Sequence, residues 1–269
     1  MAATPSTRAH TLDDEPSLSI VIPAYNESTR LNDCLQEVLA FARDREGDTE
    51  VLLVDDGSSD DTLERARVIA AGAGSGLLRV LGEPHRGKAA AVEAGMLAAT
   101  GTIVLFMDAD LATPLRYTGM LIARIDDGAD VAIASREGVG SKRVGEPIHR
   151  HVMGRAFNLL VQVLLLPGIQ DTQCGFKAFR REAAHEILQG TLLYRGPELA
   201  HGARVTAFDV ELLYVARRLG HRIDIVPVVW SAGTDSKVNP ILDTWTNLTD
   251  VVKIRMNGWR RRYPSDPVR

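Results

Sequence analysis

Short apolar runs alternate with amphipathic segments through the first half of the chain. The run at residues 103–107 is continuous, which is typical of a strand buried on both faces, and further strands are predicted over residues 17–24, 50–54, 77–81 and 131–134. Between them, apolar residues recur at helical spacing and predict helices over residues 28–43, 61–71, 89–99 and 115–125. This alternation predicts an α/β fold in which helices flank a central, mostly parallel sheet.

The second half is less regular but continues the same domain. Its pattern predicts a helix over residues 146–166, a helix start near residue 208, a strand over residues 223–230 and a final amphipathic helix. The chain has no internal repeat and no long linker. We therefore expect a disordered tail over residues 1–16, one domain over residues 17–240, and a terminal helix over residues 241–263 that packs on the domain or on a membrane surface.

Composition is that of a soluble globular protein. The 269 residues are 45% hydrophobic and 25% charged, and a net charge of −4 provides no basic field for nucleic acid. Cys34 and Cys174 are too few for a disulfide framework, which suits a reducing cytosol. The polar N-terminus lacks a signal-peptide pattern, and the longest apolar window, residues 159–166, is too short to span a bilayer. We expect a cytoplasmic protein whose membrane contact is peripheral, at the inner face.

The strand predicted at residues 103–107 runs directly into Asp108 and Asp110, which one small residue separates. Ligands of open α/β sheets bind at the carboxyl ends of the strands, so these carboxylates occupy the position expected of a site. Their oxygens suit Mg²⁺ or Mn²⁺, and such an ion in turn suits a substrate diphosphate. Two solvated acids in a turn would give the same local pattern.

Three other predicted strands also lead into polar residues. The first is followed by Tyr25, the second by Asp55-Asp56, and the third by Gly87-Lys88 at a helix start, where free N–H groups and the lysine can meet phosphate. The carboxyl ends of parallel strands share one edge of the sheet. Four polar strand ends at that edge are hard to explain as turn chemistry alone, so we predict a ligand site there.

Eight motifs follow one another along the chain: SIVIPAYNE, VLLVDDGSSDDT, HRGKAAAV, MDAD, ASR, DTQCGFK, FDVELL and the SK after the last strand. In this order they resemble the family-2, inverting glycosyltransferases of GT-A (Rossmann-like) fold, and among these the polyprenyl-phosphate sugar synthases of the dolichyl-phosphate β-glucosyltransferase type. The resemblance extends from residue 17 to the final helix. It implies a nucleotide-sugar donor and a polyprenyl-phosphate (dolichyl-phosphate) acceptor.

The same resemblance implies a donor site at the first four strand ends. The nucleotide-binding positions would be Pro23, Ala24, Tyr25, Glu27, Asp55 (beside the base), Asp56, Gly87 and Lys88. Asp108 and Asp110 would hold Mg²⁺ or Mn²⁺ on the donor diphosphate. Mannose synthases of this kind often place a glutamine two residues after the D-x-D pair, whereas this chain has Ala112, which fits the glucosyl branch better.

The acceptor side is implied to lie in the second half of the chain. Arg136 and Arg150 match arginines that bind the acceptor phosphate, and Gln173 and Lys177 would line the sugar pocket. Lys237 would close on the donor diphosphate as part of a loop. A surface residue or an ordinary turn is the alternative interpretation for each of them.

The predicted reaction is a single displacement in which an acceptor phosphate oxygen attacks the anomeric carbon and inverts its configuration. Asp209 stands where many GT-A enzymes carry a base. Because a phosphate monoester, with a second pKa of about 6, is already anionic near neutral pH, we expect Asp209 to orient the acceptor or the sugar hydroxyls.

Glucose from UDP-glucose is the first choice of donor. GDP-mannose and a UDP-N-acetylhexosamine stay open, as do the polyprenol length and the oligomeric state. A soluble glycan or natural product is the alternative acceptor, with Asp209 as a true base. A nucleotide-sugar-binding module without activity is the other alternative, and the presence of Asp108, Asp110 and Lys237 together argues against it.

Two helices have the composition of membrane-surface segments. The predicted helix at residues 152–166 has an apolar face, and the terminal helix leads into Trp259-Arg260-Arg261-Arg262-Tyr263, which combines aromatic and cationic side chains. We expect peripheral membrane binding, with packing of both helices on the sheet as the alternative. The segment at residues 190–204, longer than expected for the family, is interpreted as a lid over the acceptor groove or as an insertion.

Overall fold

The computed structural model describes residues 17–74, 76–194, 206–232 and 240–265. In the first half, strands and helices alternate as predicted. The elements are β1 (Leu18–Ala24), α1 (Leu31–Asp44), β2 (Thr49–Asp56), α2 (Thr62–Ala73), β3 (Leu78–Glu83), α3 (Lys88–Ala98), β4 (Ile103–Met107), a 3₁₀ turn (Leu115–Tyr117), α4 (Thr118–Asp126) and β5 (Val131–Ser135).

The second half contains elements that the apolar pattern did not predict. They are the short strand β6 (Lys142–Val144), the strand β7 (Phe176–Arg180) inside the DTQCGFK region, and α6 (Arg181–Gly190). The remaining elements are α5 (Ile148–Leu164), α7 (Phe208–Arg218), β8 (Ile223–Pro227), β9 (Val229–Ser231) and α8 (Pro240–Trp259). The strand predicted over residues 223–230 is thus two strands. The tail at residues 1–16, most of the 190–204 segment, and Lys237 lie outside the described residues.

The central sheet has seven strands in the order β3-β2-β1-β4-β7-β5-β8. β1 pairs in parallel with β2 and β4, and β5 pairs in parallel with β8. β7 alone reverses direction, because it is inserted antiparallel between β4 and β5. The predicted mostly parallel sheet is therefore confirmed. A second small sheet pairs β6 with β9 in parallel.

Helices cover both faces of this sheet. Alternate residues of each strand face opposite sides, so Val21 and Phe106 pack into a core with α3, α6 and α7, while Ile20 and Leu105 pack into a core with α1 and α4. All of these strand residues are fully buried. This explains why the strands are continuous apolar runs.

The terminal helix α8 contributes to the first of these cores through Val251 and Ile254, and Tyr263 beyond its end is also buried there. One side of α8 therefore packs on the domain. None of the helices among the described residues combines the length and the apolar character that a bilayer crossing needs.

Candidate active site

The D-x-D carboxylates lie at the carboxyl end of β4, beside the N-terminus of α3. Asp108 Oδ1 lies 2.5 Å from the Nζ of Lys88, the first residue of α3. Asp110 Oδ1 accepts a hydrogen bond of 3.0 Å from the backbone N–H of Ala112, which fixes the turn. Strand end and helix start therefore place two carboxylates and one ammonium in a single cluster.

Gly175, the residue before β7, makes room for Asp108. The Asp108 N–H donates a hydrogen bond of 3.0 Å to the Gly175 carbonyl, which extends the pairing of β4 with β7 by one residue. A β-carbon built on Gly175 would lie 2.0 Å from Asp108 Oδ2. Only glycine leaves the carboxylate where it stands, so the glycine of the DTQCGFK motif belongs to this site.

A second acid–base pair, Lys177 and Asp209, lies close enough to the cluster for Asp209 to act on the charge of Lys88. Lys177, on β7, is fully buried, and its Nζ lies 2.5 Å from Asp209 Oδ1 in the first turn of α7. The same ammonium donates to the Cys174 carbonyl at 2.7 Å and lies 5.0 Å from the centre of the Phe106 ring. The structure thus places Lys177 under Asp209 and away from solvent, rather than along an open sugar pocket, because β7 is an inner strand.

The charges of the two pairs act on one another. Burial disfavours the charge of Lys88, but Asp108 and Asp209 outweigh this effect and raise its pKa above the usual value. Desolvation, followed by the charge of Asp108, raises the pKa of Asp110. Paired carboxylates at such an edge favour a cation. Within the described residues no third Asp, Glu, His or Cys joins them as a metal-binding group.

The loops after β1 and β2 carry several of the residues that the motif resemblance implies for the nucleotide. Asp55, near the end of β2, is fully buried. Its Oδ2 accepts a hydrogen bond of 3.1 Å from the Ser58 N–H, whereas its buried Oδ1 has no hydrogen-bond partner among the described residues. Asn26, in the turn after β1, connects the two loops, because its N–H donates a hydrogen bond of 2.9 Å to Ser58 Oγ. A buried acceptor atom that is left unpaired marks a place for a donor group.

The remaining residues predicted at the end of β1 build this turn. Pro23 and Ala24 are the buried last residues of β1. The Glu27 N–H donates to Thr62 Oγ1 at 2.8 Å, and the Glu27 carboxylate pairs with Arg30 at 2.7 Å. These contacts fix the turn that follows β1.

Asp56 fixes the loop that leads into α3. Its carboxylate accepts the N–H groups of Arg86 at 2.9 Å and Gly87 at 3.0 Å, and lies 2.8 Å from His85 Nδ1. The His85 ring in turn stacks on Tyr25, with ring centroids 3.9 Å apart and planes at 3°. Asp56 therefore fixes the β3–α3 loop, and its predicted contact with the nucleotide stays a prediction.

Arg136 lies just beyond β5. Its Nε and Nη2 donate to the two carboxylate oxygens of Asp171, both at 2.8 Å, and its guanidinium lies 5.4 Å from the centre of the Trp230 ring. Burial alone would raise the pKa of Asp171, but Arg136 outweighs it and lowers that pKa to about 2. Gln173, two residues further on, is half-buried.

The segment between β5 and α5 is held by a charged network. Arg143 pairs with Glu137 at 3.0 Å and with Glu146 at 2.8 Å, and Arg155 of α5 also reaches Glu137, at 2.9 Å. Arg150 lies in the first turn of α5. The network thus fixes the segment that carries the second predicted phosphate-binding arginine.

The residues from 19 to 188, which carry almost every side chain of this site, match the family described as "Glycosyl transferase family 2". The chain belongs to glycosyl transferase family 2. As a member it is a glycosyltransferase, which confirms the expected enzyme class. The GT-A fold is confirmed as well, as the solved structures below show.

This glycosyltransferase is similar in sequence to proteins named dolichyl-phosphate β-glucosyltransferase. The relative from Drosophila melanogaster is 36% identical over 246 residues, covering 85% of this chain and 72% of the relative. The human relative is 33% identical over 267 residues, covering 92% of this chain and 79% of the relative. The resemblance inferred from the motifs is thereby confirmed.

Solved structures show the same fold at lower sequence identity. Glucosyl-3-phosphoglycerate synthase from Mycobacterium tuberculosis, in complex with Mn²⁺, UDP and glucosyl-3-phosphoglycerate, has a TM-score of 0.63 at 22% identity, covering 89% of this chain and 80% of that one. A mannosyltransferase from Pyrobaculum calidifontis, in complex with GDP-Man and Mn²⁺, has a TM-score of 0.60 at 19% identity, covering 94% and 66%. Both likenesses concern the fold of the glycosyltransferase.

Sequence reasoning missed four residues of the glycosyltransferase site: Asp171, Gly175, His85 and Trp230. Asp171 and Gly175 belong to a motif that had been singled out, but their partners, Arg136 and Asp108, lie far away in the chain. His85 opens the HRGKAAAV motif, but its stacking partner, Tyr25, lies far away in the chain. Nothing in the sequence pointed to Trp230.

Proposed function

We propose that this glycosyltransferase transfers glucose from UDP-glucose to a polyprenyl phosphate, with inversion at the anomeric carbon. Two relatives at 33% and 36% identity over most of the chain carry a name that states glucosyl transfer to dolichyl phosphate. The observation that carries the proposal in the structure is the spatial order of charges. Carboxylates and Lys88 lie at the end of β4, and Arg136 lies beyond β5 on the far side of β7.

The donor base is recognised by Asp55 in this proposal. Its unpaired Oδ1 accepts the imide N–H of uracil, which relieves the cost of a buried acceptor without a partner. The diphosphate lies at the N-terminus of α3, where Lys88 and the first N–H groups of the helix favour an anion. The stacked pair of Tyr25 and His85 closes the wall beside it.

Asp108 and Asp110 fit a magnesium or manganese ion. They supply hard carboxylate oxygens, and Mg²⁺ characteristically binds through one or two carboxylates together with substrate phosphates and water. Burial, followed by the nearby charge of Asp108, raises the pKa of Asp110, and a bound dication would offset both effects. When bound, such an ion neutralises charge on the departing nucleoside diphosphate.

On the acceptor side, the residues of this chain orient the acceptor phosphate and do not need to deprotonate it. A phosphate monoester is already an anion near neutral pH, so Arg136 needs only to hold it with one oxygen facing the sugar. Asp209 is held by Lys177 at 2.5 Å and so presents a fixed carboxylate to the sugar or the acceptor. Attack from this side, opposite the diphosphate, inverts the anomeric carbon. Arg150 and Lys237 keep their predicted roles as phosphate and diphosphate ligands.

A polyprenyl phosphate requires access to a membrane, and two neighbouring helices offer an apolar surface. α5 packs against α8. Large apolar side chains remain exposed on both; they are Ile148, Val152, Leu159 and Val163 on α5, and Trp245, Val252, Met256 and Trp259 on α8. On each helix the spacing of these residues places them on one face. The arginines at 260–262 are exposed beside them, so we propose that this surface lies on an anionic membrane.

The membrane surface is tested by sedimentation with vesicles that contain anionic lipid. Replacing Trp245 and Trp259 by serine should remove most of the bound fraction, because both indoles are largely exposed and contribute apolar area directly. Val68→Ser on α2 is the matched control. Val68 is equally exposed, but α2 packs on the other face of the central sheet, with α1 and α4. Equal binding of all three proteins would contradict the proposed surface.

The reaction itself is tested with purified protein, Mg²⁺ or Mn²⁺, a polyprenyl phosphate and a panel of radiolabelled nucleotide sugars. Label from UDP-glucose should appear in the organic phase, and Asp110→Ala should abolish it while thermal unfolding stays unchanged. Label from GDP-mannose or a UDP-N-acetylhexosamine instead would correct the donor. Donor hydrolysis, or transfer to a soluble glycan without lipid product, would refute the acceptor.

A further inference from the structure

The guanidinium of Arg136 is held from one edge by a buried carboxylate. Asp171 is 1% exposed, and it binds Arg136 through three hydrogen bonds of 2.8 Å. Its Oδ2 accepts both the backbone N–H and Nε of Arg136, and its Oδ1 accepts Nη2. This is the two-pronged geometry that fixes the plane of an arginine as well as its position.

The aromatic ring of Trp230 contacts the same guanidinium group. The Trp230 ring, on β9, lies 5.4 Å from the Arg136 guanidinium carbon, within the distance at which a cation is attracted to an indole. Nη1, by contrast, has no hydrogen-bond partner among the described residues, and the Arg136 side chain is 16% exposed. One edge of the guanidinium is thus paired with Asp171 and its carbon lies over the Trp230 ring, while the edge at Nη1 has no hydrogen-bond partner among the described residues.

We propose that Asp171 and Trp230 are positioning residues that fix Arg136 so that its Nη1 edge receives the phosphate of the lipid acceptor. This inference rests on the proposed function, because it specifies how the acceptor phosphate is recognised. Asp171 does not touch the acceptor. A carboxylate is required at residue 171, since all three Arg136 donors need acceptor oxygens, and an asparagine would turn its NH₂ group toward at least one of them.

The test is calorimetric titration with a water-soluble, ten-carbon prenyl monophosphate. Asp171→Asn should weaken its binding about tenfold or more, the loss expected when charge-assisted hydrogen bonds are removed. Binding of the corresponding prenol, which lacks the phosphate, should not change. In the transfer reaction the acceptor KM should rise, while kcat and the donor KM stay close to the wild-type values. Unchanged or tighter binding by a folded Asp171→Asn protein would overturn the proposal, because Asp171 would then merely neutralise Arg136.

Asp224→Asn is the matched control. Asp224 makes the same two-pronged contact with Arg222, at 3.0 and 2.8 Å, but on the edge strand β8. It should leave the binding of the prenyl phosphate unchanged. A double-mutant cycle adds a second criterion: in an Arg136→Ala background, Asp171→Asn should have almost no further effect on binding. An equally large effect in that background would show that Asp171 does not act through Arg136.

Asp171→Asn leaves a buried arginine without its full partner, so the protein can fail to fold. If that happens, two milder variants test the proposal instead. Trp230→Leu should weaken binding about two- to fivefold through loss of the stacking contact, and Arg136→Lys should weaken it about tenfold, because lysine cannot use both oxygens of Asp171. Wild-type affinity in both would overturn the inference even where transfer to lipid occurs. Absence of both transfer and binding in the wild-type protein would refute the proposed function as well.

Discussion

Replacing Gly175 by alanine displaces Asp108 without changing any charge. The new β-carbon would lie 2.0 Å from Asp108 Oδ2 and 2.3 Å from Cγ. To restore an ordinary contact of about 3.5 Å, the carboxylate has to move by about 1.5 Å. That movement would break its 2.5 Å contact with Lys88.

The displacement is large compared with what a metal site tolerates. Ligand distances in such sites hold to about 0.2 Å, and a misplacement of about 1 Å at a reacting centre costs about 100-fold in rate. We therefore expect kcat/KM to fall at least about 100-fold, or about 2.7 kcal/mol of transition-state stabilisation. The backbone at Gly175 is not in the left-handed region, and the side chain of Asp108 is partly exposed. The free energy of unfolding should change by no more than about 1 kcal/mol.

The assay is the initial rate of nucleotide release with Mn²⁺ and polyprenyl phosphate, together with Mn²⁺ binding followed by electron paramagnetic resonance. Gly72→Ala is the control, because a β-carbon there has nothing within 4 Å and Gly72 lies near the C-terminal end of α2. It should retain full activity. A folded Gly175→Ala protein with a rate within about threefold of wild type would refute the argument that this glycine protects the position of Asp108.

Three further predictions concern buried polar groups. Asp55→Asn should weaken UDP binding about tenfold by calorimetry, because the amide has one acceptor oxygen and its NH₂ group would face either the Ser58 N–H or the uracil N–H; unchanged affinity would exclude the base contact. Lys177→Met should destabilise the protein by about 3 kcal/mol in urea unfolding, since it leaves Asp209 buried without its partner; an unchanged midpoint would contradict this. Burial of Glu50 raises its pKa, but hydrogen bonds led by that of Ser19 outweigh burial, so the pKa in the folded protein lies below the usual value of 4.5. Glu50 should therefore stabilise the fold above about pH 4.5 and lose this effect as the pH falls below it, so wild type and Glu50→Gln should converge in acid.

The first half of the fold could be predicted because its strands are buried on both faces. β1, β2 and β4 then appear in the sequence as unbroken apolar runs. β7 was missed because its sequence, FKAFR, carries two cations. Lys177 can be buried there only because Asp209, from a helix that follows much later in the chain, neutralises it. Such a pairing belongs to the tertiary structure and leaves no local pattern.

The candidate site divides in the same way. Asp108, Asp110 and Lys88 could be located from their positions at strand and helix ends. The sequence suggested that Arg136 was a phosphate ligand, but not that Asp171 holds it. Asp56 was expected to touch the nucleotide, and its loop-anchoring role depends on backbone N–H groups whose direction no side-chain pattern records.

The position of β7 also determines the order in which the central sheet can assemble during synthesis. β7 lies between β4 and β5 in the sheet, although it follows both of them in the chain. Until residues 176–180 have been made, β4 and β5 each present an unpaired edge, which is a template for aggregation. Gly175 reaches Asp108 only with that late strand. β1 to β4 can therefore pair on the ribosome before residues 176–180 are made, whereas β5 joins the sheet only through β7, and β8 completes the sheet on the other edge of β5.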